Sequence, residues 1–144
     1  MLVMAGEGVK MAEAKATILL AEDDLTLRDM YQIRLESSDY RVLVAANGEE
    51  ALKVLEENKP DVILLDIMMP KINGLDVLEK IKKNPATKDI PVIILTVLVQ
   101  DQTRVKGLMT GADDYLIKSE TMPGEVVKRI EAVLEKSRQK QKSE

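Results

Sequence analysis

The chain has 144 residues, a formal net charge of −4, 45% hydrophobic and 32% charged residues, which is the make-up of one globular domain. With no cysteine and no histidine, it is excluded from disulfide, thiolate-metal and cysteine-nucleophile chemistry and lacks the commonest general base. The acidic balance gives no electrostatic reason for direct nucleic-acid or anionic-membrane binding, no apolar run nears the roughly 20 residues of a bilayer-spanning helix, and the absence of cysteine suits the cytoplasm.

Residues 1–15 lack the basic front and continuous apolar run of a signal peptide and read as a disordered tail. Short apolar runs then begin near Thr17, Arg41, Asp61, Pro91 and Asp114, separated by segments of helical spacing. That alternation predicts a parallel sheet built from βαβ units. The first helix presents Leu27, Met30, Tyr31 and Leu35, with Asp24 or Thr26 as its cap. The second, Gly48 to Asn58, buries Ala51, Leu52 and Leu55 behind an Asn47 cap. The third runs from Leu75 to about Asn84, presents Leu75, Leu78 and Ile81, and stops at Pro85. The fourth, about Asp101 to Thr110, is short and polar. Val105, Leu108 and Met109 are its only strong anchors, and Gly111 sits where a helix-ending glycine belongs. The fifth has Pro123 near its first turn and a stripe of Val126, Val127, Ile130, Val133 and Leu134. Residues 138–144 read as a polar tail, which leaves 16–137 as the folded unit. With three tyrosines and no phenylalanine or tryptophan, the core is expected to be Leu, Ile, Val and Met.

Four of the five strands end in side chains suited to handling a phosphoryl group. Thr17 to Ala21 runs into Glu22-Asp23-Asp24, Val62 to Leu65 into Asp66, Val92 to Leu95 into Thr96, and Tyr115 to Ile117 into Lys118. The second strand ends in Ala45-Ala46-Asn47 instead. An edge position away from the site explains this and selects the doubly wound order 2-1-3-4-5. The site then lies at the switch between strands one and three, where open α/β sheets bind ligands.

Three acids in a row exceed what one helix cap requires. With Asp66 alongside, mutual repulsion raises at least one pKa unless a cation lies between them, and carboxylates with open water positions suit Mg²⁺. Beside such an ion, Asp66 can attack phosphorus and form an acyl phosphate. Lys118 would neutralise the transferred charge, and Thr96 would donate its hydroxyl to it. Singly, each residue is ordinary: a capping carboxylate, a β-branched strand end, a solvated lysine. Their convergence carries the reading. The loop after Asp66 is broken by Pro70 and turned by Asn73-Gly74.

Ile18-Leu19-Leu20-Ala21-Glu22-Asp23-Asp24, Leu64-Leu65-Asp66-Ile67-Met68-Met69-Pro70 with Gly74, Thr96, and Gly111-Ala112-Asp113-Asp114-Tyr115-Leu116-Ile117-Lys118 closely resemble the receiver domain of two-component response regulators. The resemblance covers about Ala16 to Lys136 and implies a flavodoxin-like, (βα)5 three-layer sandwich. It implies a stand-alone receiver that accepts a phosphoryl group on Asp66 from a histidine kinase or histidine phosphotransfer protein. Asp23, Asp66 and the Met68 carbonyl would bind Mg²⁺, with Glu22 acting through water, while Thr96 and Lys118 hold the phosphoryl oxygens. Tyr115 matches the switch aromatic, which turns inward as Thr96 moves toward the phosphate. The fourth helix, fifth strand and fifth helix would form the surface read by a downstream effector protein. Such a domain is not an enzyme with turnover; it catalyses only its own phosphorylation and dephosphorylation. Arg104, Asp113, Asp114 and Arg129 resemble charged positions on the dimer face of some receivers, so a monomer or a phosphorylation-dependent homodimer is expected.

The runner-up is a Mg²⁺-dependent phosphatase of haloacid-dehalogenase type, but the position of its second acid is Met68 here. A flavin carrier of similar topology would need bare N–H groups, not acids, after strand one. Three departures from the receiver pattern matter. Lys118 precedes Ser119 rather than proline; a cis bond there would cost about 2.5–4 kcal/mol, so a trans bond and a rearranged loop are expected. Val97 stands where a small residue is commoner and narrows the route to Asp66. Met68 and Leu98 flank the site with side chains that cannot position water, so a long-lived phosphoryl group is expected.

Overall fold

The computed structural model describes residues 14–142. Five parallel strands, β1 (Thr17–Ala21), β2 (Arg41–Ala45), β3 (Val62–Leu65), β4 (Val92–Thr96) and β5 (Asp114–Ile117), form one sheet in the order 2-1-3-4-5. Helices α1 (Leu25–Ser37), α2 (Gly48–Glu57), α3 (Gly74–Lys83), α4 (Asp101–Thr110) and α5 (Pro123–Lys142) alternate with them. The strand without a reactive terminus, β2, is at an edge.

Successive strand residues face opposite sides of a sheet, so each apolar run feeds two cores. Ile18, Leu20, Val62, Leu64, Ile93 and Leu95 pack with Tyr31 and Leu35 of α1 and with α5, all five of whose expected stripe residues are buried. Leu19, Ile63, Leu65 and Ile94 pack instead with Ala51 of α2 and Val77, Leu78 and Ile81 of α3. Asp24 caps α1 by accepting from the Leu27 N–H at 3.0 Å, and Asn47 caps α2 by accepting from that of Glu50 at 2.9 Å.

Four expectations change. Val105 (53% exposed), Leu108 (39%) and Met109 (83%) do not anchor α4; its one buried residue is Gly107. A β-carbon at Gly107 would lie 2.6 Å from Ile94 Cδ1, so the helix rests on the sheet through bare backbone. Of the methionines described, only Met69 is buried, whereas all three tyrosines fill the core. Met30 likewise turns outward from α1. Residues 138–142, read as tail, continue α5: they are good helix formers, Gln139 donates to Glu135 at 3.2 Å, and Arg138 donates to the Lys15 carbonyl at 3.4 Å. The tail read over residues 1–15 lies almost wholly outside the described residues.

Candidate functional site

The parallel register brings the polar strand ends together. Ala21 of β1 pairs with Leu65 of β3, so the next residues, Glu22 and Asp66, emerge side by side. Thr96 of β4 pairs with Ile117 of β5, and Lys118 follows one residue on. Carboxylate oxygens of Glu22, Asp23 and Asp66 all lie within 4.8 Å of one another. Glu22 and Asp66 are buried, whereas Asp23 faces solvent.

Lys118 neutralises part of this charge. Its ammonium donates to Glu22 Oε1 and, at 3.0 Å, to Asp66 Oδ2. The Met68 N–H donates to Asp66 Oδ1 at 3.0 Å, and the Asp24 N–H to Glu22 Oε2 at 3.1 Å. Burial pushes the Glu22 carboxyl above its ordinary 4.5, and its bond to Lys118 recovers only part of that cost. Burial acts the other way on Lys118, but its bonds to Glu22 and Asp66 outweigh it and hold the ammonium above its ordinary 10.5. The pair is therefore asymmetric: two carboxylates satisfy one cation, while one cation under-serves the acids.

Backbone close to Asp66 fixes its direction. The Gly74 N–H donates to the Ile67 carbonyl at 2.9 Å, and a β-carbon at Gly74 would lie 2.3 Å from the Asp66 carbonyl oxygen. Glycine is needed there for close approach. Asn73 caps α3 by accepting from the Leu75 N–H at 2.7 Å. The left-handed residue of this loop is Lys71, at φ 71°, which the Asn73-Gly74 signal did not reveal.

Thr96 is wholly buried at the end of β4. Tyr115 is turned inward, 8% exposed, and its hydroxyl donates to the Leu98 carbonyl at 3.0 Å. Val97 and Met68, 54% and 51% exposed, are apolar side chains on the loops beyond Thr96 and Asp66. No peptide bond among the described residues is cis, so Lys118-Ser119 is trans, and Lys118–Glu120 forms a single 3-10 turn. Asp114 and Arg129 pair within the chain at 2.7 Å, with Glu125 on the same guanidinium at 2.9 Å. Asp113 accepts from the Val92 N–H at 2.9 Å.

Two neighbours escaped the sequence reading. Arg28 donates to the Glu22 carbonyl at 3.0 Å and so ties α1 to the end of β1. A cation in the first turn of a helix opposes the macrodipole, and that was the available signal. Tyr31, 3% exposed, has its phenol pKa raised chiefly by burial, with smaller influences from Lys118, Glu22 and Asp66. It reads as a core residue from sequence because its helix face is apolar.

The geometry and the comparisons agree on the class. The response regulator receiver domain family model matches residues 18–131, and the chain belongs to that family. It is 39% identical over 121 residues to the phosphate regulon transcriptional regulatory protein PhoB of Pseudomonas aeruginosa, covering 84% of this chain and 52% of that one. The receiver domain of Francisella response regulator 1452 superposes with a TM-score of 0.79 at 31% identity, covering 85% of this chain and 99% of that one. The Mn²⁺-bound form of response regulator Rcp1 superposes with a TM-score of 0.70 at 30% identity, covering 76% and 86% of the two chains. The chain spans about half the length of the curated relatives it matches.

Proposed function

We propose that the chain is a phosphoacceptor whose Asp66 takes a phosphoryl group from a phosphohistidine on a histidine kinase or phosphotransfer protein. The carrying observation is Lys118 bridging Glu22 and Asp66 inside a three-carboxylate cluster. In the step, an Asp66 oxygen attacks phosphorus, the histidine N–P bond breaks, and the imidazole leaves with the electron pair. The Lys118 ammonium and the Thr96 hydroxyl stabilise charge on the equatorial oxygens.

The residues fit a divalent cation. An all-oxygen donor set, one solvent-facing acid and a Glu22 carboxyl that burial keeps short of counter-charge all favour a hard ion such as Mg²⁺. Asp23, Asp66 and the Met68 carbonyl would hold it, with Glu22 acting through water; it would neutralise phosphoryl charge. The Mn²⁺-bound relative supports this reading.

Signalling then runs through Tyr115 and the α4–β5–α5 face to an effector protein. The chain acts on itself alone and without turnover, and we place it in the cytoplasm. Among the described residues no helix is long and apolar enough to cross a membrane. Relatives are named transcriptional regulators, so the expectation of no nucleic-acid contact is kept for the receiver region. With Arg129 held by Asp114 and Glu125, a dimer through those charges would have to re-pair them.

Incubation with acetyl phosphate and Mg²⁺, followed by intact mass, tests the reading. One added phosphoryl group is expected, absent in Asp66→Asn and absent with a chelator. Modification surviving Asp66→Asn would overturn the assignment. Because Met68 and Leu98 cannot position water, label on the isolated phosphoprotein is expected to persist for minutes or longer; loss within seconds would refute that part.

A further inference from the structure

At the opposite, amino edge of the sheet, a groove of about 590 Å³ opens between the end of α3, the α3–β4 loop, the start of β5 and α5. Pro91, Ala132 and Val133 give it an apolar lining. Lys82, Lys88, Lys136 and Lys140 surround that lining. Lys82 is fixed: its stem lies against Gly111, and its ammonium donates to the Lys88 and Ile90 carbonyls at 3.1 and 2.9 Å. An ammonium has three donors, so one remains for a ligand. Burial lowers the Lys82 pKa first of all; Asp113 and Asp89 act against that shift, and Lys140 adds to it.

The lining sets Lys82, Lys88, Lys136, Lys140 and Arg129 against Asp89, Asp113 and Asp114, an excess of basic over acidic side chains. Asp114 pairs with Arg129, and Asp113 accepts from the Val92 N–H while still acting on Lys82. Asp89 is the remaining carboxylate. Dipole compensation explains Lys82 at the end of α3 and Lys140 at the end of α5, but neither Lys88 nor Lys136. The guanidinium of Arg129, the group best shaped for planar carboxylates, is already engaged. Lysine ammoniums act as point charges and suit a compact, multiply charged phosphate.

We propose that this groove binds a phosphorylated small molecule, its phosphate among Lys82, Lys88 and Lys136 and its uncharged part on Pro91, Ala132 and Val133. The volume lies in the range of small-ligand sites, with an apolar lining and convergent polar groups. The groove is at the far end of the sheet from Asp66, so its occupant is separate from the proposed phosphoryl chemistry.

Titration of the chelator-treated chain with ADP at low ionic strength, read by amide NMR, tests this. ADP is expected to shift Asp89, Gly111 and Ser137 saturably, pyrophosphate to shift the same amides more weakly, and adenosine to leave them unmoved. Joint Lys88→Glu and Lys136→Glu is expected to weaken ADP at least about tenfold through lost charge. Ala132→Tyr, at an exposed position, keeps every charge but fills the groove, and is expected to weaken it as much. Melting curves check that each variant is folded. Silence of those amides to both ADP and pyrophosphate, or unchanged binding in both variants, would overturn the proposal. So would saturation of the same amides by an oligoglutamate peptide with no response to ADP, which would assign the groove to an acidic protein segment.

Discussion

Helices α4 and α5 flank β5 from opposite faces, yet they are held in different ways. α5 buries Val126, Val127, Ile130, Val133 and Leu134 against Leu116 and the rest of that core. α4 buries only Gly107 and leaves Val105, Leu108 and Met109 in solvent. Both began as helices with apolar residues at helical spacing. Apolar content, then, does not decide attachment; how much of it is turned into the core does. A helix held by so few buried side chains opens locally at low free-energy cost, which suits the element next to Tyr115 and the Leu98 carbonyl.

That contrast can be broken by measurement. Ile130→Ala should cost about 2–5 kcal/mol in denaturant unfolding, because a fully buried side chain leaves a cavity. A loss below about 1 kcal/mol would mean α5 is not the anchored helix. Tyr115→Phe removes the bond to the Leu98 carbonyl and should cost about 1 kcal/mol. Its exchange-protection loss is expected at Leu98 to Thr110, sparing α5.

The exit of β5 should also respond to pH, since Lys118 is held above the ordinary lysine value. Its stabilising contribution is intact below pH 10.5 and is lost as pH rises through the raised value. Comparing Lys118→Met with the parent chain between pH 8 and about 12 isolates that contribution, and parallel curves would disprove it. Glu22 has the same sense in a lower pH window. Its pKa is raised from 4.5, so its share is present below pH 4.5 and lost as pH rises through the raised value. Metal-free Glu22→Gln should therefore match or exceed parental stability at neutral pH. Met109→Ser should be smallest of all, within about 0.5 kcal/mol, as for other exposed positions.

Much of this was legible in the chain. β3 and β4 bury every side chain, so Val62 to Leu65 and Val92 to Leu95 read as continuous apolar runs, the first between Asp61 and Asp66 and the second between Pro91 and Thr96. The α5 stripe was legible because a long amphipathic helix repeats its signal. α4 misled because Val105, Leu108 and Met109 mimic such a stripe, while its real seat, Gly107 against Ile94, has no side chain to read. Lys71 in the left-handed region and the carbonyl of Leu98 were hidden for a related reason: backbone partners leave no mark on residue type.

Alone, the order of residues determined a parallel α/β sheet, its edge strand, and which side chains stand one step past each strand. Those follow from local periodicity and from what an apolar strand cannot carry in its interior. Tertiary structure decided that Lys118 bridges Glu22 and Asp66, that the tyrosines rather than most methionines fill the core, and that α4 rests on a glycine. Each depends on how closely two distant segments approach, a distance set by the packing of the whole sheet and not by any window of sequence.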